Sequence, residues 1–208
     1  MRNQPENQIT FVFIRHGETK ANRRHCYLGR TDEPLWEAGK EKLLTYKKEN
    51  RYPKVDYVFT SPMERCVQTA ELLYPNVKKQ QIFEWMEMDF GAFEGKNYSE
   101  LNGDERYQRW IDSNGTLPFP EGESREEFIK RCIGGFEKMK NALFLLQKEQ
   151  KQPLKKVGVV VHGGTIMALL SSFFGGAYFD YQVQNGGGYQ CSCILDEQQF
   201  EIIKIDKI

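Results

Sequence analysis

Short runs of β-branched and aromatic residues alternate along the chain with longer segments whose apolar positions recur at helical spacing. Residues 9–14, 55–59 and 157–161 are largely apolar, which is typical of strands buried in a sheet. Residues 188–195 and 199–205 predict a final hairpin or edge pair. Because strands and helices alternate before that hairpin, the pattern predicts an α/β fold with a mostly parallel sheet.

Helices are predicted in residues 35–49, in residues 62–74, in a mostly helical insertion over 97–112, in a long segment from Ser124 and in a segment from Thr165. Pro62 suits the first position of its helix, because the N–H that proline lacks is not needed there. Ser124 is a good N-cap, and Glu127 three residues later completes a capping box. An apolar stripe then runs from Phe128 to Leu146 along the long helix.

The length of 208 residues, with 39% apolar residues, suits one domain with a substantial core. No internal repeat and no linker divides the sequence, so we expect a single domain over residues 1–208. The 29 basic and 29 acidic residues cancel. A balanced charge argues against binding to nucleic acid or to an anionic membrane surface, although a local basic cluster could still bind a small anion.

Residues 157–179 contain no formally charged residue and are long enough to cross a bilayer. Five glycines interrupt this segment, and its pattern changes midway from a Val-rich run to Met167–Leu170. A buried strand, a glycine turn and a buried helix explain the segment better than a membrane span does. We therefore expect a soluble protein.

Five cysteines are present without a C-x-x-C pair, and no apolar signal follows Met1. This usage predicts free thiols in a reducing cytoplasm. The three histidines, His16, His25 and His162, lack the spacing of a zinc site, and we expect neither a metal nor another cofactor.

Cationic side chains follow three of the predicted strands. Arg15 and His16 follow the first strand, Arg65 lies shortly after the second, and His162 follows the late strand before a glycine pair. The carboxyl ends of parallel strands meet at one edge of a sheet, so these groups should lie close together. Clustered cations repel one another unless an anion neutralises them, and arginine suits phosphate. The sequence therefore predicts a phosphate pocket.

Six motifs occur along the chain in a characteristic order. They are R-H-G-E-T at 15–19 with Asn22, G-R-T-D-E-P-L at 29–35, S-P-M-E-R-C-V-Q-T-A at 61–70, E-M-D-F-G-A-F-E-G at 87–95, P-E-G-E-S at 120–124 and V-V-H-G-G at 160–164. Together they resemble the histidine phosphatase superfamily, the phosphoglycerate-mutase-like group. The resemblance implies a three-layer α/β sandwich with a mostly parallel central sheet flanked by helices.

The resemblance also implies a role for each matching residue. His16 would attack phosphorus and form a phosphohistidine, which water then cleaves. Phosphoryl oxygens would be bound by Arg15, Arg65 and His162 and by further donors at Asn22, Gly163 and Gly164. Glu87 would protonate the leaving oxygen and later activate the water.

Several alternatives stay open at this stage. Glu84 and Asp89 lie close enough in sequence to replace Glu87 as the acid. A mutase would return the phosphoryl group to a second hydroxyl, although the chain lacks the long basic insertions of the glycolytic enzymes. A non-catalytic protein that binds a phosphorylated ligand is the third possibility. The oligomeric state is not predicted.

Residues 29–35 are most similar to the small bacterial phosphatase branch, which includes the α-ribazole-5′-phosphate phosphatases of cobalamin biosynthesis. That similarity implies a small phosphorylated metabolite as the substrate, with α-ribazole 5′-phosphate as one candidate. The insertion 96–120 carries Tyr98, Tyr107, Trp110 and Phe119 and should fold over the active site. Its aromatic rings would either stack on a flat substrate or pack against the sheet.

Overall fold

The computed structural model describes residues 7–150, 153–197 and 199–208. Within these residues six strands form one sheet: β1 (Gln8–Arg15), β2 (Tyr57–Thr60), β3 (Lys79–Gln81), β4 (Lys156–Val161), β5 (Gly188–Leu195) and β6 (Phe200–Lys207). Their order across the sheet is β3-β2-β4-β1-β5-β6. The first four strands in this order are parallel, whereas β5 and β6 form an antiparallel edge. The predicted parallel sheet and final hairpin are thus confirmed.

Helices connect and cover the strands: α1 (Lys20–Arg23), α2 (Glu37–Lys48), α3 (Glu64–Leu73), α4 (Tyr98–Leu101), α5 (Glu105–Asp112), α6 (Arg125–Gln150) and α7 (Gly163–Phe174). Short 3₁₀ helices occupy Phe83–Trp85, Gly91–Phe93 and Tyr178–Tyr181. The uncharged segment 157–179 is divided between β4, α7 and the start of the last 3₁₀ helix. In the part of the chain that the structure describes, no helix is long and apolar enough to cross a membrane.

Alternate residues of β1 enter two separate hydrophobic cores, one on each face of the sheet. Phe11 and Phe13 pack on the face covered by α6 and α7, whereas Val12 and Ile14 pack with Leu43 and other apolar residues of α2 and α3. This two-residue period is the one that extended backbone imposes. The three-layer sandwich is therefore confirmed, and the carboxyl ends of β1, β2 and β4 share one edge of it.

Two local features differ from the sequence prediction. Strand β3 was missed, because its three residues are polar and lie at the sheet edge, where no apolar pattern is required. Pro62 is not the first helical residue, since Met63 is the N-cap and α3 begins at Glu64. The Asp32 carboxylate accepts the Glu64 N–H at 2.7 Å, so a distant residue caps this helix.

Candidate active site

The ends of β1 and β4 bring two histidine rings together. His16 follows β1 and His162 follows β4, and their ring centroids lie 5.2 Å apart with the planes at 68°. Arg65 in the first turn of α3 is fully buried beside them, and Arg15 is the last residue of β1. The structure thus gathers the two arginines and two histidines that the sequence placed at the strand ends.

The His16 ring is held in one orientation and one tautomer. Its Nδ1–H donates to the carbonyl of Gly17 at 2.7 Å, which leaves the lone pair on Nε2 available. Burial, together with the charges of Arg65 and Arg15, holds the His16 pKa well below 6.5. The imidazole is therefore neutral at neutral pH, as a nitrogen nucleophile has to be.

His162 is packed between a hydroxyl group and a carboxyl group. Its Nε2 lies 2.8 Å from Oγ of Ser61, and its Nδ1 lies 4.0 Å from Oε2 of Glu87. Burial lowers the His162 pKa, and the charge of Arg65 lowers it further. Ser61, whose hydroxyl orients this ring, entered the sequence analysis only as the first residue of the motif at 61–70.

Each of the two arginines has a buried Nε–H group without a hydrogen-bond partner in the part of the chain that the structure describes. Arg65 donates through Nη1 to the Thr31 carbonyl and through Nη2 to the Gly29 carbonyl, both at 2.9 Å. Arg15 donates through Nη1 to the Val183 carbonyl at 2.7 Å. In both guanidinium groups Nε is buried and has no hydrogen-bond partner among the described residues. An anion beside His16 would satisfy these two donors, which are otherwise costly to bury.

Glu94 supports Arg65 from behind through the loop 29–31. Its Oε1 accepts the N–H groups of Gly29 at 2.8 Å and Thr31 at 3.0 Å, and the carbonyls of the same two residues bind Arg65. The carboxylate thereby fixes the loop that aims the guanidinium. Glu94, which belongs to the motif at 87–95, is therefore a positioning residue.

Asn185 ties the nucleophile to Asn22. Its amide Nδ2 lies 3.1 Å from the His16 carbonyl, 3.3 Å from the Gly17 carbonyl and 3.0 Å from Asn22 Oδ1. Asn22 Oδ1 also accepts the Thr19 N–H at 3.3 Å, so its oxygen faces the protein. Sequence reasoning missed Asn185; the only signal was its position just before the glycine triplet 186–188.

Glu87 presents a buried carboxyl group to the same site. Its Oε1 accepts the Met88 N–H at 3.0 Å, and 8% of the residue is exposed. Burial raises the pKa of Glu87, while the Met88 N–H and the charges of Arg65 and Arg15 act in the opposite direction. A carboxyl group with a raised pKa next to a phosphate pocket is suited to general acid catalysis.

The glycine pair at the start of α7 lies against the acid and one arginine. A side chain at Gly164 would come within 2.6 Å of Glu87 Oε1 and 3.1 Å of the Phe128 ring. A side chain at Gly163 would contact Arg15 at ordinary distance. Gly164 therefore makes room for the acid, and the role of its N–H as a phosphate donor stays a prediction.

The two alternative acids lie elsewhere. Glu84 forms an ion pair with Lys138, and the hydrogen bond from that lysine lowers its pKa. Asp89 Oδ1 accepts the N–H of Gly91 at 2.9 Å. Of these three carboxyl groups, Glu87 is the one with a contact to a site histidine, since its Oε2 lies 4.0 Å from His162 Nδ1, so Glu87 is the acid that the geometry supports.

An aromatic cavity of about 180 Å³ opens beside Glu87. Its walls come from the loop after α1, the segment 87–90, the insertion, the start of α6, helix α7 and the last 3₁₀ helix. The lining residues are Tyr27, Glu87, Met88, Phe90, Trp110, Gly115, Phe119, Arg125, Gly164, Met167, Tyr178 and Phe179. Trp110 and Phe119 of the insertion both pack on the core and line this space, whereas Tyr107 packs on the core without lining it and Tyr98 is exposed. Packing is thus confirmed for three of the four rings, and stacking on a substrate stays a prediction.

No metal centre is formed by the described residues. Among residues 7–150, 153–197 and 199–208, no group of three or more histidine, cysteine or acidic side chains is placed to hold a metal ion. The site consists of two histidines, two arginines and one carboxyl group. These are groups for binding and transferring a phosphoryl group.

Comparisons with known proteins agree with this geometry. The model of the histidine phosphatase superfamily (branch 1) matches residues 11–202. The "Uncharacterized phosphatase PhoE" of Bacillus subtilis (strain 168) is 32% identical over 165 residues, which is 78% of this chain and 76% of that protein. The "Probable phosphoglycerate mutase GpmB" of Escherichia coli O1:K1 / APEC is 26% identical over 171 residues, covering 80% of this chain and 75% of that one.

A solved structure shows the same fold. The α-ribazole phosphatase from Shigella flexneri superposes with a TM-score of 0.72 at 23% sequence identity, covering 93% of this chain and 94% of that chain. The resemblance found in the sequence motifs is thus confirmed at the level of the family and of the fold.

Proposed function

The chain belongs to the histidine phosphatase superfamily, and from this membership and the site we propose that it hydrolyses phosphomonoesters of a small metabolite through a phosphohistidine. The observation that carries the proposal is the His16 ring. Its Nδ1–H is bound to the Gly17 carbonyl, so the lone pair of Nε2 is available, and the ring lies in the field of Arg65 and Arg15, each of which has a buried, unpaired Nε–H. A nucleophile and two unused phosphate donors thus converge.

In the first half-reaction, Nε2 of His16 attacks phosphorus and the bond from phosphorus to the ester oxygen breaks. The two arginines stabilise the negative charge on the phosphoryl oxygens while the phosphoryl group moves from the ester oxygen to Nε2. The Glu87 carboxyl gives its proton to the leaving oxygen, so the alcohol departs neutral. His16 now carries the phosphoryl group.

In the second half-reaction, water attacks the phosphohistidine. The Glu87 carboxylate takes a proton from this water, and the bond from His16 to phosphorus breaks. The products are the alcohol and inorganic phosphate, and both residues return to their starting protonation states. No step requires a metal ion, so we propose a metal-independent enzyme. The free cysteines support a location in the cytoplasm, and the balanced charge supports activity without a nucleic-acid or membrane partner.

α-Ribazole 5′-phosphate belongs in the first substrate panel. A structural neighbour is named for α-ribazole, and the aromatic cavity beside Glu87 is suited to a flat group. A role in cobalamin biosynthesis follows only if this ester is preferred. The mutase alternative predicts a different product from 3-phosphoglycerate, namely its isomer with the phosphoryl group on the second hydroxyl.

The test is phosphate release in the presence of EDTA, with the wild type compared with His16→Ala. The panel contains α-ribazole 5′-phosphate, 3-phosphoglycerate, sugar phosphates and p-nitrophenyl phosphate. We expect release that resists the chelator and disappears in the variant. Isomerisation of 3-phosphoglycerate without release would favour the mutase, binding without either reaction would favour a non-catalytic protein, and release that survives in His16→Ala would contradict the proposal.

A further inference from the structure

We propose that the alcohol part of the substrate carries one apolar group of ring size that binds in the aromatic cavity, and that alcohols bearing a carboxylate are poorly accepted. This inference rests on the proposed function and specifies the class of phosphomonoester that the same site takes. It is carried by three features of the cavity: its position next to the acid, its size and apolar walls, and the hydrogen bonds that the only cation among its lining residues already makes through Nη2.

The position of the acid determines where the alcohol lies. A general acid has to reach the leaving oxygen at hydrogen-bond distance, so the alcohol part must extend from a point next to Glu87. The Glu87 carboxyl is itself part of the cavity wall. His16 and Arg65, which would hold the phosphoryl group, are buried and are not among the residues that line this cavity. The alcohol therefore enters the aromatic cavity.

The size and the walls of the cavity define the group that fits. A cavity of about 150 Å³ admits a benzene ring, and this one measures about 180 Å³. Phe119 packs edge-on against Phe90 with the ring centroids 4.9 Å apart and lies 4.6 Å from the Trp110 ring. These rings hold one another in place before any ligand enters. The cavity is thus a preformed apolar slot for one ring.

The mouth of the cavity adds apolar surface that a ligand would cover. Phe179 lies there with 58% of its surface exposed, packed edge-on against Tyr178 at 5.2 Å. A bound ring would remove part of this surface from water, which favours binding. An anionic group in the same place would instead lose its hydration against aromatic carbon.

Arg125 is the only cation among the residues that line the cavity, and part of its guanidinium is already engaged. Its Nη2 donates to the carbonyls of Asn114 at 2.7 Å and Gly115 at 2.8 Å. Its guanidinium carbon lies 5.4 Å from the centre of the Tyr178 ring and 5.3 Å from that of Phe179. A carboxylate that bound Nη2 would have to displace two backbone carbonyls, so this end of Arg125 forms part of the wall.

A groove rich in cations exists elsewhere and does not change this conclusion. Lys20, Arg23 and Arg24 line it together with Trp36. None of its lining residues belongs to the phosphate site or to the aromatic cavity. An alcohol bound there would lie away from Glu87, and its oxygen would receive no proton.

The experiment compares primary alkyl phosphates, because their leaving oxygens differ little in basicity. The series is ethyl phosphate, 2-phenylethyl phosphate, phosphoserine and 3-phosphoglycerate, and the measured quantity is kcat/KM. Covering one ring is worth roughly one power of ten in binding, so 2-phenylethyl phosphate should exceed ethyl phosphate about tenfold. It should exceed the two carboxylate esters by at least that factor.

A matched pair of variants separates the cavity from general effects on the fold. Phe179→Ala removes a ring at the mouth of the cavity, and Phe83→Ala removes an equally exposed ring from another 3₁₀ helix outside it. Phe179→Ala should lower kcat/KM for 2-phenylethyl phosphate about threefold to tenfold and leave ethyl phosphate within twofold. Phe83→Ala should change neither substrate.

The outcomes distinguish this inference from the proposed function. Hydrolysis that prefers phosphoserine or 3-phosphoglycerate would overturn the inference while the hydrolase proposal stands. The inference would also be overturned by equal rates for ethyl and 2-phenylethyl phosphate, or by an equal response to both alanine variants. If no ester in the series phosphorylates His16, the proposed function itself fails.

Discussion

Arg65→Lys should separate the geometry of the phosphate site from its charge. Lysine keeps the positive charge but replaces a planar fork of five N–H groups with one ammonium group. In the wild type, Nη1 and Nη2 are bound to the Thr31 and Gly29 carbonyls, and the buried Nε is unpaired. A single ammonium group cannot reach both carbonyls and the phosphoryl oxygens together.

The size of the effect follows from which contacts are lost. Loss of one donor aimed at transition-state charge typically lowers kcat by about 10²- to 10³-fold. One carbonyl of the loop 29–31 would also lose its partner, which costs about 1–3 kcal/mol of unfolding free energy. That loss is below the usual total stability of a domain, so the variant should remain folded.

The assay combines steady-state kinetics, competitive inhibition by inorganic phosphate and urea unfolding. Arg106→Lys is the matched control, because Arg106 pairs with Asp104 at the surface and lies outside the site. We expect Arg65→Lys to lose kcat and phosphate affinity together, while the control changes neither. A folded Arg65→Lys enzyme with kcat and phosphate inhibition within threefold of the wild type would refute the assignment of this side chain.

Three further predictions concern the acid and the residue that positions the nucleophile. Glu87→Gln should slow alkyl esters by about 10²-fold or more and p-nitrophenyl phosphate much less, because only the poor leaving group needs a proton; an equal loss for both esters, measured as kcat, would exclude this role. The value of kcat/KM for an alkyl ester should be level at lower pH and fall as the pH rises past the pKa of Glu87, which burial raises, because the acid then loses its proton. This decline should be missing from the pH profile of Glu87→Gln, and its persistence there would assign it to another group. Asn185→Ala removes the amide that contacts the His16 and Gly17 carbonyls and Asn22. The value of kcat should therefore fall roughly tenfold, and the ¹⁵N NMR shifts of His16 should show a mixture of tautomers. Unchanged kcat and shifts would show that Asn185 has no positioning role.

The parts of the fold that follow from burial were predictable. A strand such as β1 is apolar because both of its faces are covered, and that pattern is visible in a single sequence. The polar edge strand β3 has no such requirement, and its place depends on β2 beside it. The start of α3 depends likewise on Asp32, which lies 32 residues away and was not identified as its cap.

In the site, too, some residues could be predicted from the local sequence and others depend on contacts with distant residues. The groups that would touch phosphate follow strand ends within short motifs, so their convergence could be anticipated from the topology. Asn185, Ser61 and the loop 29–31 act through hydrogen bonds to distant parts of the chain. Such contacts leave no periodic trace. The close approach of Gly164 to Glu87 likewise joins residues that are 77 positions apart, so it becomes visible only in the folded chain.

The most direct test of the central claim is to trap the covalent intermediate. Enzyme mixed with excess substrate is quenched within milliseconds, kept alkaline to preserve phosphohistidine, digested and mapped by mass spectrometry, with His16→Ala treated in parallel. We predict a phosphoryl group on His16 that appears no more slowly than turnover and is absent from the variant. Turnover at the normal rate with no phosphoryl group on His16, or with one on another residue, would contradict the proposed phosphohistidine intermediate.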